Sequence, residues 1–265
     1  MKRPGFLLQT LPFFLAFAAQ AQDKSAASYP AMAPISQYRI AARDDEIALA
    51  RSAAPPSISA DAEVLVLGDR GYETAVKGKN GFVCFVARSW AAGFDNPEFW
   101  NPKLRAPNCF NAPAVRTELA QYRKRTEWVL AGIGWQEMKA KTRAAVAAHE
   151  FKPPEPGALS FMLSKDGYLS DEPAGPWLPH VMFFIPHGQA AAWGTDLEGS
   201  PVLGKEGSQI SSTVLFIPVP RWSDGSPAQP PAEHHQMWSV SQTPQRVLAD
   251  DQVIDRRPEG EPRVP

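Results

Sequence analysis

The sequence predicts an α+β fold, an antiparallel sheet with helices packed on it. Three observations lead there. Glu63 to Leu67, Tyr72 to Lys77 and Phe82 to Arg88 are short apolar runs bounded by Gly, Asp and Asn, the mark of strands. Ala114 to about His149 changes to a helical period, and strand-like runs then return at Ala158 to Leu163, Val181 to Ile185 and Thr213 to Val219. Helices gathered on one side of such a sheet are the economical packing.

Taken in order, Asp44 to Ala53 reads as a short helix capped by Asp44, with Ile47, Leu49 and Ala50 apolar and with Pro55 and Pro56 as its stop. The next three runs are separated by Gly68-Asp69-Arg70-Gly71 and Gly78-Lys79-Asn80-Gly81, and Asn80-Gly81 suits a tight hairpin turn. A three-stranded antiparallel meander is the expectation. In the helical stretch Val115, Leu119 and Tyr122 share one stripe. Trp135, Met138, Thr142, Ala145 and His149 share another, and Gly132-Ile133-Gly134 divides two helices. Three later strands bring the sheet to about six. Strands on either side of a helical pair also fit a PAS-like or Cache-like sensor sheet, an analogy at the level of fold alone.

The ends differ from the middle. Lys2 and Arg3 precede an apolar stretch from Phe6 to Ala18 and then Ala19-Gln20-Ala21, which predicts a signal peptide over 1–21 and a periplasmic or secreted product. The apolar stretch is shorter than the about 20 residues of a transmembrane helix, so no membrane span is expected after cleavage. Residues 22–40, rich in Ala, Ser and Pro, read as a flexible lead-in, and 41–222 as a single domain. From Ser223 to Pro265 scattered prolines and few aliphatics predict a disordered tail. A formal charge of -1 supplies no basic surface for phosphates, so nucleic acid is not an expected partner.

Cys84 and Cys109 are the only two cysteines, and in an exported chain they are expected to pair. Closing a loop of 25 residues corresponds to roughly 3 to 3.5 kcal/mol by chain entropy. The bond would tie the irregular, Pro- and Asn-rich segment from Asn96 to Pro113 to a rigid strand. A reactive thiol would want a basic, partly exposed setting, and Phe82, Val83, Phe85 and Val86 offer the reverse.

Gly71-Tyr72, Asn80-Gly81-Phe82 with Cys84, Cys109-Phe110, Pro156-Gly157 leading to Met162-Leu163-Ser164, and Pro179-His180-Val181-Met182-Phe183 form a set over most of Glu46 to Pro220. This set resembles a family of uncharacterised exported bacterial proteins. The resemblance implies one domain and brings no activity, cofactor or catalytic residue with it.

Searches for chemistry return little. Gly-x-Ser-x-Gly, Ser-x-x-Lys, Cys-x-x-Cys, His-Glu-x-x-His and phosphate-cradling glycine patterns do not occur, and no cofactor is expected. Ser160 and Ser164 read as outward or edge positions. His149, His180 and His187 would make a zinc or copper site if folding joined them, although His180 and His187 lie on opposite faces of an extended strand. His149 also suits a helix C-terminus as a favourable charge. His234-His235 in the tail could hold a metal loosely, and Asp166, Asp171 and Glu172 a calcium ion without the spacing of a calcium loop. Aromatic residues in loops form the best lead: Trp90, Phe94, Phe99 and Trp100, with Trp177 and Trp193 further on, either line a ligand pocket or fill a minor core. The functional expectation is a non-enzymatic domain binding a small molecule or an envelope partner. The alternatives are a hydrolase using the three histidines, metal-dependent or otherwise, and a structural envelope protein.

Overall fold

The computed structural model describes residues 29–171, 178–195, 197–204 and 206–228. The fold is α+β. Its helices are α1 (Arg43–Arg51), α2 (Pro56–Ser59), α3 (Ala112–Thr117), α4 (Leu119–Leu130) and α5 (Trp135–Ala147). Its strands are β1 (Glu63–Leu67), β2 (Tyr72–Val76), β3 (Val83–Ala87), β4 (Ala106–Phe110), β5 (Leu159–Met162), β6 (His180–Ile185), β7 (Leu203–Gly204) and β8 (Thr213–Pro218). Among the described residues they form one sheet in the order β2-β1-β3-β4-β5-β6-β8-β7. Two of these strands, β4 and β7, add to the six that the sequence marks. No helix among the described residues is long and apolar enough to cross a membrane.

Burial decides the order. Every residue of β3 is buried, so the strand needs a neighbour at each edge and a cover on each face. Strand β2 buries only Tyr72, exposes Glu73 and Thr74, and is a natural edge. β1 and β2 form the expected antiparallel hairpin, but β3 does not continue a meander: it lies on the far side of β1 and runs parallel to it. The chain therefore crosses the start of β1, with Lys79 N–H donating to Asp61 O and Glu63 N–H to Phe82 O. Gly78 makes the crossing feasible, because a Cβ there would stand 2.1 Å from the Glu63 nitrogen.

The two faces are covered by different helices, where sequence reasoning places them all on one side. Val83 and Phe85 join Phe110 beneath α3 and α4. The rings of Phe85, Phe110 and Tyr122 meet edge to face at 5.0–5.5 Å. Such burial stabilises by roughly 1.5 to 3 kcal/mol per large side chain. Cys84, Val86 and Cys109 face the other way, toward Ala50, Ala53 and Ala54 at the end of α1. Asp44 does not cap α1: the N-cap is Ala42, and Asp44 sits in the first turn.

Cys84 and Cys109 are disulfide-bonded. They are direct partners in the antiparallel pairing of β3 with β4, their Cα atoms 4.0 Å apart. The bond thus joins two central strands. The end of the segment expected to be irregular is itself strand β4, since its apolar Ala106, Cys109 and Phe110 are all buried.

The ends are more ordered than composition suggests. Within the expected lead-in, Ile35–Tyr38 form a 3₁₀ turn, and the fully buried Tyr38 donates its hydroxyl to Trp100 O at 2.8 Å. Tyr38 O in turn accepts from Arg88 Nε at 2.8 Å, and Arg88 Nη2 bonds Glu46 of α1 at 2.8 Å. Glu46 Oε1 also accepts from Leu67 N–H, so one buried ion pair joins the N-terminal segment, α1, β1 and β3. At the other end Ser223 N–H donates to Leu163 O and Lys165 pairs with Asp224 at 2.7 Å, so the start of the Pro-rich tract packs on the domain. The expected signal peptide and the remainder of the expected tail lie outside the described residues.

Two stability changes follow. Gly78→Ala should cost about 2 kcal/mol or more, because its methyl meets backbone rather than a movable side chain; urea denaturation measures it. Replacing Cys84 and Cys109 together by Ala should lower the unfolding free energy by about 2 to 4 kcal/mol in the same assay without changing the far-UV spectrum.

Candidate functional site

Beyond β3 the chain makes a 3₁₀ turn at Ser89–Ala91 and then a loop built by side chain to backbone bonds. Asn96 Oδ1 accepts from Glu98 N–H at 2.8 Å and Asn101 Oδ1 from Lys103 N–H at 2.8 Å, the Asx turns that asparagine favours. The buried Glu98 accepts from Asn101 Nδ2 and from Ser170 Oγ, which pins the loop from below. So held, the loop stacks half-buried Phe94 on buried Phe99 at 5.2 Å, and Phe99 lies edge-on to buried Trp100 at 4.8 Å.

Two distant segments complete the site. Trp135, the first residue of α5, donates its indole N–H to Phe94 O at 3.1 Å, which fixes its ring beside Phe94. Tyr29 approaches from the N-terminal segment, its hydroxyl bonded to Asp171, which also binds the Tyr168 hydroxyl and Lys103. Those donors hold the Asp171 carboxyl down at about 2. Tyr29, Phe94, Phe99, Trp100 and Trp135 line an open cleft of about 500 Å³ with Asp95, Asn96 and Gln136 at its rim. Ligand sites commonly occupy about 300 to 1,000 Å³ and are lined by apolar and aromatic groups with a few polar ones.

Cations lie against these rings. The Arg125 guanidinium carbon sits 4.4 Å from the Phe94 centroid and 5.5 Å from that of Phe99, and Lys139 Nζ lies 5.0 Å from Trp135. Arg125 is 1% exposed and forms no ion pair among the described residues. Its charge is met by Ala92 O at 2.8 Å, Ala91 O at 3.4 Å and the two aromatic faces. Burial lowers its pKa to about 10, so it stays charged at neutral pH.

A second polar cluster lies along the same helix. Glu118, 2% exposed at the start of α4, accepts one bond from Ser212 Oγ at 3.3 Å, and its Oε1 has no hydrogen-bond partner among the described residues. Burial raises its pKa to about 7. Gln121, one turn on, accepts from Ser211 Oγ. α4 therefore carries polar groups on a buried stripe that faces the 208–212 turn.

The structure separates the residues that sequence reasoning groups. Trp100 lines the cleft. Trp90 lies beneath it, 1% exposed, its ring 5.0 Å from Tyr38 and its N–H donated to Thr126 Oγ1. Trp193 belongs to another cluster, against Phe183, and Trp177 lies outside the described residues. The histidines do not meet: no group of three or more His, Cys, Asp or Glu among the described residues is placed to hold a metal ion. His180 is buried in β6, donates Nδ1–H to Leu178 O at 2.9 Å, and burial lowers its pKa to about 4. His187 contacts Thr213 Oγ1 and Ile210 O, near Glu206. His149 ends α5 with φ 57°, its N–H bonded to Val146 O and that of Glu150 to Ala145 O, a Schellman closure in which glycine is the usual residue.

Asp171, one of the calcium candidates, is occupied by Tyr29, Tyr168 and Lys103, while Glu172 and His234-His235 lie outside the described residues. Ser160 and Ser164 are buried rather than outward: Ser160 donates to Asn108 Oδ1 and Ser164 Oγ lies 2.6 Å from Ser52 Oγ. Sequence reasoning missed Tyr29, placed in the lead-in, and Trp135, read as one more residue of a helical stripe. The available signal for Trp135 was its place directly after Gly134, at the exposed start of a helix. Comparison with known protein families, characterised proteins and solved structures yields no match.

Two outcomes are expected. The Glu118 carboxyl holds its proton up to about 7 when folded, above its ordinary 4.5. Stability should therefore fall as pH rises from about 4.5 to 7, by on the order of 3 kcal/mol, with no difference below that window because both states are then protonated. Glu118→Gln should flatten this part of the stability profile in denaturant titrations from pH 4 to 8. His149→Gly should raise stability by about 0.5 to 1 kcal/mol, since glycine takes the left-handed backbone without a Cβ penalty.

Proposed function

We propose that the protein is an exported, non-enzymatic domain that binds a small molecule with a flat, apolar face in the aromatic cleft. One observation carries this reading. Rings from three chain segments far apart in sequence, Tyr29, Phe94 to Trp100 and Trp135, line a single open concavity. Aromatic residues that serve only as core would be packed shut, and here Phe94 and Trp135 stay partly exposed. The adjacent cations sharpen the expected ligand class. A ring with a cation on one face draws electron density away from the other, which favours a neutral or electron-rich planar partner. Asp95, Asn96 and Gln136 at the rim supply acceptors and donors for its edge.

Export is supported by the charged, apolar and small-residue order of the first 21 residues and by the disulfide, which persists in oxidising compartments. The hydrolase reading has no geometric support, because the three histidines occupy three different surroundings. A purely structural envelope protein would leave no concavity beside its loop aromatics, and the cleft speaks against that reading.

The test is a thermal-shift screen of the mature chain with planar aromatic metabolites, nucleobases and nucleosides, followed by titration of tryptophan fluorescence. A binder should raise Tm and give a saturable fluorescence change. Phe94→Ala and Trp135→Ala should each weaken that binding by about tenfold or more, in line with loss of an aromatic anchor. Absence of saturable binding at millimolar concentration across these classes would count decisively against the cleft as a small-molecule site.

A further inference from the structure

We propose that the face of the sheet shared with α1 carries a docking groove for the chain's own C-terminal segment around Trp238 and Val240. The groove lies apart from the aromatic cleft and does not depend on its ligand. On this face α1 packs against β1, β3 and β4. At the opposite end a 3₁₀ turn, Ala190–Trp193, is placed by contacts of Ala190 with Ile185, Leu215 and Phe183. Between these covers runs the row Phe161, Val181 and Ile217, which are direct partners across β5, β6 and β8 and so point the same way. Val181 and Ile217 are half-buried apolar residues that join none of the described core clusters. Trp193, 38% exposed with its ring 5.4 Å from Phe183, and Leu197, 70% exposed, stand on the turn side.

Where the described chain ends selects the occupant. Ala228 N–H donates to Pro220 O, three residues beyond Ile217, and Ser223 is bonded to Leu163 just past β5. The last described residues thus lie at the Phe161–Val181–Ile217 end of this face. The next residues, Gln229 to Gln236, carry no large apolar side chain and include Pro230 and Pro231. In an extended form they reach about 25 Å at 3.1 Å per residue. The six residues of β8 cover about 20 Å, so Met237-Trp238-Ser239-Val240 can reach any part of the groove. In an extended segment Trp238 and Val240 lie on one side, and Met237 with Ser239 on the other. A tryptophan followed two residues later by an aliphatic side chain is a fitting pair of anchors for an aromatic-walled apolar floor.

The experiment compares the mature full chain, the full chain carrying Trp238→Ser, and a chain ending at Ala228. Docking predicts that both altered proteins lose about 3 °C or more of Tm and bind more of a hydrophobic dye than the full chain. A labelled peptide of residues 229–242 added to the shortened protein should bind saturably by fluorescence anisotropy. Trp193→Ala in that protein should weaken the binding by about tenfold with the far-UV spectrum unchanged. Equal Tm and dye binding in all three proteins would overturn the proposal, and so would a peptide that does not bind. Dimerisation of the shortened chain that the peptide fails to reverse would likewise overturn it, assigning the face to a second copy.

Discussion

The complete burial of β3 is the constraint from which the rest of the molecule follows. A strand that reads Val-Cys-Phe-Val-Ala has no side to show to water. It cannot be the outer strand of a hairpin, so the connection from β2 passes over the start of β1 and lays β3 between β1 and β4. It also requires cover above and below. α1 supplies one layer, resting Ala50 on the disulfide side, and α3 and α4 supply the other through Ala114, Leu119 and Tyr122. Just past the strand, Arg88 is fully buried and its guanidinium is satisfied by Glu46, Tyr38 O and Val86 O. Breaking such a pair by removing one partner is costly, since the remaining charge is left in a low-dielectric interior. The ion pair therefore keeps α1 and the N-terminal segment in place at the end of the sheet where the cleft opens.

The cleft is a consequence of that same end. Once Tyr38 is drawn under Trp100 and Trp90 is bonded to Thr126, the loop after β3 must close over α4. The rings it carries are then trapped between the N-terminal segment and the first turn of α5. Arg125 is what makes this closure polar. Its guanidinium collects the carbonyls of Ala91 and Ala92 and supports Phe94 and Phe99 from beneath. Glu118 belongs to the same stripe of α4 but lacks such compensation, which is why its carboxyl stays protonated toward neutral pH.

Much of the fold is legible in the residues. Glu63 to Leu67 and Thr213 to Pro218 stand out through β-branched and aliphatic runs ended by Gly or Pro, and Gly132-Ile133-Gly134 does separate two helices. Strand β4 escapes notice because Pro107 and Asn108 interrupt its apolar character. Pro107 nevertheless fits the strand, and Asn108 is satisfied by Ala106 O and Ser160. The site is legible only in part. Clustered Phe94, Phe99 and Trp100 draw attention through their density alone. Trp90 shares that density and the buried core with Phe99 and Trp100 but does not reach the cleft, while Tyr29 and Trp135 look ordinary until the chain brings them to the same place.

The sequence by itself determined six of the strands and the main helical stretches, that the two cysteines pair, and that an aromatic loop follows β3. These are local matters, set by side-chain period, turn chemistry and the number of thiols available. The tertiary structure decided that β3 runs parallel to β1, that helices cover both faces, and that three histidines remain apart while five rings share a cleft. Those outcomes depend on which surfaces meet across long stretches of chain. Competition among apolar faces for the same cover settles them, and it leaves no periodic trace in the order of residues.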